Sequence, residues 1–246
     1  MTNQRVVFGF ILLCMFMCVV SISFAGTWRD DFEDKDTKEW EIFNLNRQVE
    51  KWWINDDEAV GEIFEPGFWS LWMTGENNWQ FYSVRCVVKL IDEKNDPPYF
   101  GLTLHDRGEE GGRYVFYVDY LRGFAVIEKW VANGGSVRQN FVAEKDVWYE
   151  LNASVQLDPL DEELAVLEFS IKNADRKDGN PLVTLTAQDT DPIDKGQVSL
   201  AISNARVRYD NVEISGTNIP NGGPGKPFPV KPHAKLATSW GSIKKY

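Results

Sequence analysis

The feature that most constrains this chain is the alternation of apolar and polar residues between Gly196 and Gly216. Two runs repeat with a period of two residues, and the polar pair Ser203–Asn204 separates them. The apolar positions of the two runs are Val198, Leu200 and Ile202, then Val207, Tyr209, Val212 and Ile214. Such alternation is typical of strands with one buried face, so it predicts two antiparallel strands joined by a tight turn. The acidic and aromatic residues at 28–34 have a similar pattern, and we expect the first strand to pair with the last.

The same kind of pattern predicts many short strands between residues 28 and 215, with turns rich in Gly, Pro, Asn and Asp between them. No segment keeps a helical apolar period over ten residues. Residues 113–119 and 124–130 are apolar at nearly every position, which is typical of central strands whose outer face is covered or lines a groove. The sequence therefore predicts an all-β sandwich or barrel.

Residues 1–25 have the features of a cleaved secretory signal. Arg5 is the only charge, an apolar run covers residues 6–20, and the small residues Ser23 and Ala25 precede Gly26. An uncleaved membrane anchor is the alternative, although the run is shorter than the roughly 20 residues that a spanning helix needs. We expect a secreted, periplasmic or cell-surface protein with no transmembrane span after cleavage.

The expected mature chain has one cysteine and a strongly acidic balance. Cys86 falls on the apolar face of a predicted strand and is interpreted as a small buried hydrophobe. The formal charge of the full chain is −11. This balance argues against nucleic acid and anionic membranes as partners.

Composition divides the remaining chain into three parts. Residues 26–216 form the predicted domain, and residues 217–232 have the proline and glycine content of a linker. Residues 233–246 turn basic, with Leu236, Trp240 and Ile243 at helical spacing. This tail is either a short amphipathic helix, which docks on an envelope partner or serves as an export or anchoring tag, or a disordered end.

Several motifs occur in a characteristic order, namely Asp30–Phe32, Trp52–Asp57, Trp79–Val84, Tyr99–Thr103, Trp148–Tyr149, Gly196–Leu200 and Asp210–Glu213. Together they resemble the concanavalin A-like lectin/glucanase superfamily, in particular the bacterial exported domains grouped as 3-keto-disaccharide hydrolase-like. The likeness covers nearly all of residues 27–216. It implies a jelly-roll sandwich of two antiparallel sheets, the inner one curved, with glycans as the usual ligands of the concave face.

The catalytic motif of laminarinase-type members is not found. Those members carry Glu-x-Asp-x-x-Glu on one strand, and a retaining mechanism needs two carboxylates about 5–5.5 Å apart. The nearest approach, Glu144–Asp146, has Tyr149 at the position of the third carboxylate. The sequence therefore favours glycan binding without cleavage.

An enzyme related to the 3-keto-disaccharide hydrolase-like group is the alternative. Members of that group tend to carry a Gly-plus-Arg strand at the position of residues 101–107, and here His105, Asp106 and Arg107 end that strand. A histidine beside carboxylates can act as a general acid or base, since its ordinary pKa is close to neutral. The competing interpretation is a polar strand end that enters a solvated loop.

Sugar binding needs aromatic platforms and planar polar groups around a concave surface. The predicted ligand residues on the central strands are Tyr99, Tyr117, Asp119, Lys129 and Trp130, with residues 69–72 as further options. Tyr117 and Trp130 are favoured because each alternates with polar residues in a central strand.

One structural Ca²⁺ is predicted where the terminal strands pair. Pairing would bring Asp30, Asp31 and Asp210 together, and carboxylate oxygens are the ligands that Ca²⁺ prefers. Superfamily relatives often hold an ion there. Neutralisation of these acids by Arg29, Arg206 and Arg208 is the alternative.

The function that the sequence favours is therefore an exported, non-catalytic carbohydrate-binding module that recognises a glycan or polysaccharide on its concave sheet. A glycoside hydrolase and a structural or adhesive surface module are the alternatives.

Overall fold

The computed structural model describes residues 25–44, 51–65, 67–94, 97–176 and 179–225 of the 246-residue chain. Its fold is a sandwich of two antiparallel sheets, which confirms the all-β prediction. Except for Ala25, the expected signal segment lies outside the described residues, and so does the basic tail, residues 233–246. Within those ranges, no helix is long and apolar enough to cross a membrane.

One sheet has eight strands. In chain order they are β1 (Gly26–Asp30), β3 (Lys51–Asn55), β4 (Glu58–Ile63), β6 (Tyr82–Glu93), β11 (Tyr149–Asp158), β12 (Asp161–Asn173), β13 (Val183–Asp189) and β15 (Ala205–Gly216). Their spatial order is β13-β12-β11-β6-β15-β4-β3, and β1 also pairs with β15.

The other sheet has seven strands. In chain order they are β2 (Glu41–Asn44), β5 (Ser70–Thr74), β7 (Tyr99–Asp106), β8 (Arg113–Asp119), β9 (Phe124–Trp130), β10 (Ser136–Asn140) and β14 (Gln197–Ser203). Their spatial order is β10-β9-β8-β7-β14-β5-β2. A single helical turn, α1 (Gly108–Gly111), connects β7 to β8.

The first strand pairs with the last, as the sequence predicted. β1 runs antiparallel to the end of β15, with Gly26 opposite Gly216 and Asp30 opposite Val212. The contact continues beyond the predicted domain boundary at residue 216, because the Gly222 amide donates to the Thr27 carbonyl oxygen at 3.0 Å. The first half of the predicted linker therefore lies along β1.

The expected hairpin at residues 197–215 is wrong in its pairing. β14 and β15 follow each other along the chain, but they belong to different sheets and do not pair. Asn204 takes a positive φ of 49° between them, which lets the chain turn from one sheet to the other. Alternation identified two half-buried strands correctly, but it contains no information on which neighbour each strand pairs with.

The core lies between the sheets and is rich in aromatic rings. Trp72 stacks on Trp40 and on Trp52, with centroid separations of 4.8 and 5.2 Å. The buried Tyr209 of β15 reaches across to the seven-stranded sheet, where its hydroxyl donates to a backbone carbonyl oxygen and accepts from the Gly101 amide at 3.1 Å. Cys86 is fully buried, as predicted, and burial raises the pKa of its thiol. These contacts fix the two sheets relative to each other.

Candidate functional site

The outer face of the seven-stranded sheet, meaning the face turned away from the core, is concave. Three strands lie between β8 and β2 in this sheet, which at about 4.8 Å per strand would separate them by roughly 19 Å on a flat surface. Nevertheless the Arg113 guanidinium of β8 lies 5.2 Å from the ring centroid of Phe43 on β2. Such a contact requires the sheet to curve so that side chains from distant strands meet over its outer face.

Four aromatic rings meet on this concave face, and we call them the aromatic cluster: Trp69, Tyr99, Tyr117 and Trp130. Trp69 stacks on Tyr99 with centroids 5.2 Å apart and an interplanar angle of 6°. The edges of Tyr117 and Trp130 meet Trp69 at 5.4 and 5.1 Å. All four side chains are half-buried. Each such pair adds about 0.5–1.5 kcal/mol beyond area burial, so the rings hold one another in place.

Polar groups border the aromatic cluster. The Tyr117 hydroxyl donates to Glu128 Oε2 at 3.0 Å, and burial together with the nearby Glu128 charge raises the pKa of Tyr117. Arg122 Nη1 contacts Asp119 Oδ2 at 3.0 Å and donates to the Tyr99 hydroxyl at 3.1 Å. Rings, a carboxylate and a guanidinium therefore lie side by side, which is the combination that binds sugar hydroxyls and C–H faces.

A buried ion pair lies on the same face. Arg113 Nη1 is 3.1 Å from Asp106 Oδ2, and both side chains are almost completely buried. Burial raises the pKa of Asp106, and the Arg113 charge together with hydrogen bonds from the Gly108 amide and Thr103 Oγ1 opposes that rise. The Arg113 guanidinium also lies over the Trp130 ring, at 6.0 Å. The ion pair thus connects the aromatic cluster to β7.

The structure brings four of the five predicted ligand residues together. Tyr99, Tyr117 and Trp130 belong to the aromatic cluster, and Asp119 borders it. Lys129 does not, because alternation along β9 turns it to the side opposite its neighbours Glu128 and Trp130. Its ammonium group instead contacts Asp189 Oδ2 at 2.8 Å.

Sequence reasoning did not select Arg113, Arg122 or Glu128, although alternation along β8 and β9 places Arg113 and Glu128 on the same face as Tyr117 and Trp130. Trp69 was among the further options at residues 69–72. Its neighbour at the other end of that stretch, Trp72, points into the core instead.

His105, Asp106 and Arg107 do not converge. Between Thr103 and Asp106, β7 has one residue more than the facing segment of β14, and His105 takes a positive φ of 52° at this bulge. A bulge re-aims side chains. His105 therefore turns into the core and hydrogen-bonds the Ile193 carbonyl oxygen through Nδ1, Asp106 faces the concave side, and Arg107 is exposed to solvent. Burial lowers the pKa of His105 to about 4.

Pairing of the terminal strands places Asp30, Asp31 and Asp210 at one edge of the sandwich. Asp30 is buried and accepts hydrogen bonds from the Phe32 amide at 2.8 Å and from Trp40 Nε1 at 2.7 Å. Burial raises the pKa of Asp30 and that of Asp210 to about 6, and the neighbouring acids Asp31 and Glu58 add to the shift at Asp210. In the part of the chain that the structure describes, no group of three or more His, Cys, Asp or Glu side chains is arranged to hold a metal ion. The calcium site stays a prediction.

The alternative to an ion is neutralisation of these acids by Arg29, Arg206 and Arg208, and all three arginines form ion pairs. Arg29 contacts Glu213 at 2.8 Å, and Arg208 contacts Glu58 at 2.6 Å. Arg206 also pairs with a glutamate, Glu62. Each of the three arginines therefore pairs with a glutamate, and Arg208 also lies 3.9 Å from Asp56 Oδ2.

The fold is shared with several solved structures at low sequence identity. The carbohydrate-binding module CBM66 from Bacillus subtilis aligns with a TM-score of 0.54 and 12% identity over 71% of this chain and 94% of its own. A prokaryotic β-1,3-1,4-glucanase (lichenase) from a mouse hindgut metagenome aligns with a TM-score of 0.55 and 11% identity over 77% and 98%. Cellulose induced protein Cip1 gives a TM-score of 0.55 and 11% identity over 76% and 95%.

These likenesses show the fold, a jelly-roll sandwich of two antiparallel sheets, as the sequence predicted. The narrower resemblance to 3-keto-disaccharide hydrolase-like domains is not confirmed. No protein-family model matches the chain, and a search of curated proteins found no match either.

Proposed function

We propose that this chain is an exported carbohydrate-binding protein that holds a glycan on the concave face of its seven-stranded sheet, at the aromatic cluster, without cleaving it. The observation that carries the proposal is the meeting of Trp69, Tyr99, Tyr117 and Trp130 on that face, beside hydrogen-bonding groups. Aromatic rings cover the C–H faces of sugars, while carboxylates and guanidinium groups bond to their hydroxyls.

The similar structures support the choice of ligand class. One is named as a carbohydrate-binding module and another as a β-glucanase, and both align over nearly their whole length. The proposal assigns binding rather than hydrolysis because the sequence has no Glu-x-Asp-x-x-Glu strand to supply a catalytic pair of carboxylates, and each carboxylate at the cluster holds a neighbouring side chain. Asp106 pairs with Arg113, Asp119 pairs with Arg122, and Glu128 accepts a hydrogen bond from Tyr117.

A glycan-array screen of the chain purified from an exporting host, with and without a calcium chelator, tests this function. We expect selective binding that Tyr117→Ala or Trp130→Ala weakens by about tenfold or more. Trp53→Ala should leave it unchanged, because Trp53 is exposed on β3 of the other sheet. Reducing ends released from a bound glycan would contradict the non-catalytic part of the proposal. A blank array would contradict carbohydrate binding altogether.

A further inference from the structure

A polar groove of about 510 Å³ crosses the outer face of the eight-stranded sheet, on the opposite side of the sandwich from the aromatic cluster. Two rows of facing residues line it across neighbouring strands. The first row is Ser215, Ser83, Ser154 and Glu168. The second row is Glu213, Arg85, Asn152, Ser170 and Thr184. Directly opposite residues share one face of a sheet, so each row presents its side chains together.

Five charged side chains in and beside this groove are paired with one another. Glu213 contacts Arg29 at 2.8 Å and Arg85 at 3.5 Å. Glu150 then contacts Arg85 at 4.0 Å and Lys172 at 3.5 Å. With the exposed Glu168, these six groups comprise three positive and three negative charges. A groove with balanced charge has no electrostatic preference for a polyanion such as a nucleic acid or an anionic lipid surface.

Neutral hydrogen-bonding groups are therefore what the groove offers to a ligand. Five of its lining residues carry hydroxyls, and none of the described lining residues is aromatic. An added peptide strand would need an unpaired sheet edge, whereas β6, β11, β12 and β15 are each paired on both sides. The strands are about 4.8 Å apart, so each row forms a regular line of donors and acceptors perpendicular to the strands.

We infer that this groove is a second carbohydrate site, which takes a neutral glycan chain lying across the strands and holds it by hydrogen bonds without ring stacking. The site does not depend on binding at the aromatic cluster, since the two lie on opposite faces. Because both faces can be occupied at once, one molecule bridges two glycan chains, and the second contact on a shared polymer strengthens attachment through effective concentration.

The test is a ¹⁵N-NMR titration of the purified exported chain with cellohexaose, laminarihexaose and, as a charged comparison, a hexauronate. We expect the neutral hexaoses to shift backbone amides of Ser83, Ser154 and Ser170. Ser154→Leu and, separately, Thr184→Leu place an apolar side chain in the groove and remove a hydroxyl. Each should weaken this binding about tenfold, the loss expected for one to two hydrogen bonds.

Two controls separate this site from the aromatic cluster. Gln156→Leu makes the same kind of change on the same face of β11 but outside the two rows, since Gln156 lies opposite Val166, and it should leave the shifts unchanged. Trp130→Ala should abolish shifts around the aromatic cluster and leave those in the groove intact.

Three outcomes would overturn the inference. Saturation of the aromatic cluster with no movement of the groove amides would remove the second site and leave the proposed function standing. Stronger binding of the hexauronate in the groove would contradict the neutral ligand class. Shifts on neither face would contradict both this inference and the proposed function.

Discussion

The indole ring of Trp69 lies parallel to the phenol ring of Tyr99, with centroids 5.2 Å apart. Tyr99 begins β7 and Trp69 immediately precedes β5, and β14 lies between these two strands. The stack therefore spans a strand, and its two rings meet above β14. It fixes Trp69 at the centre of the aromatic cluster, against the edges of Tyr117 and Trp130.

Removing this ring should affect glycan binding more than folding. We expect Trp69→Ala to lower affinity for an array-selected glycan by about tenfold or more, because it removes one platform and releases the other three rings. Calorimetric titration measures this loss. Trp53→Ala is the matched control, since Trp53 is exposed on the opposite sheet, and an equal loss in both variants would contradict the assignment.

The buried ion pair between Asp106 and Arg113 makes a separate prediction about stability. Breaking a buried pair leaves one charge uncompensated, so Arg113→Met should lower the free energy of unfolding by about 3–5 kcal/mol. Replacing both partners, as in Asp106→Leu with Arg113→Met, should recover a large part of that loss. Urea unfolding of the two single variants and the double variant measures the coupling. Strictly additive effects would show that the pair does not act as a unit.

His105 predicts sensitivity to acid. Burial lowers the pKa of this group from 6.5 to about 4, so the unfolded chain binds its proton first as pH falls. The contribution of His105 to stability is therefore complete above pH 6.5 and is lost as pH falls through about 4. A shift of this size corresponds to about 3 kcal/mol.

We expect the free energy of unfolding to fall less in His105→Asn than in the wild type between pH 7 and pH 4, as measured by chemical unfolding. Asparagine tolerates the positive φ of 52° at this position, and its amide can donate to the Ile193 carbonyl oxygen. If stability falls as steeply with pH in His105→Asn as in the wild type, other groups cause the sensitivity to acid.

Asp210 predicts a response of the opposite sign. Its pKa is raised from 3.8 to about 6, chiefly by burial, so the folded state holds the proton more tightly than the unfolded chain. This stabilisation is complete below pH 3.8 and is lost as pH rises through about 6. Asp210→Asn should therefore raise the unfolding midpoint at pH 7 and have little effect at pH 4. Asp161→Asn, at an exposed position, is the control.

Calcium would change that response in a recognisable way. An ion bound by Asp30, Asp31 and Asp210 favours the charged carboxylates, so Asp210→Asn would then lower stability at pH 7. Thermal unfolding in calcium chloride and in chelator separates the two accounts. The prediction of an ion requires a melting temperature that rises with calcium in the wild type and not in Asp210→Asn.

Much of the fold could be predicted because alternation is a local signal. It located the strands and the buried Cys86. The pairing of β1 with β15 was predicted from the similar acidic and aromatic residues in the first and last strands. The passage of the chain from one sheet to the other at Asn204 could not be predicted, because the pairing of a strand depends on strands that are distant in sequence. The apolar positions Tyr209 and Val212 are three residues apart instead of two. The pairing register of β15 shifts at this point, where Asn211 takes a positive φ of 52°.

The candidate site was predictable in part for the same reason. Tyr117 and Trp130 follow from alternation along β8 and β9. The contact of Trp69 with Trp130 depends on sheet curvature, and the divergence of His105 from Asp106 depends on a bulge. Neither feature has a local sequence signature. Lys129 was placed on the wrong side of its strand because its neighbours were considered without their alternation.

Calorimetric titration with one array-selected glycan tests binding at the aromatic cluster most directly. It compares the wild-type chain with a double variant that carries both Tyr117→Ala and Trp130→Ala. The account predicts saturable binding by the wild type and loss of the binding step that belongs to the aromatic cluster in the double variant, so that only binding in the groove remains, with thermal unfolding showing that both are folded. Undiminished binding by a folded double variant would contradict the central claim.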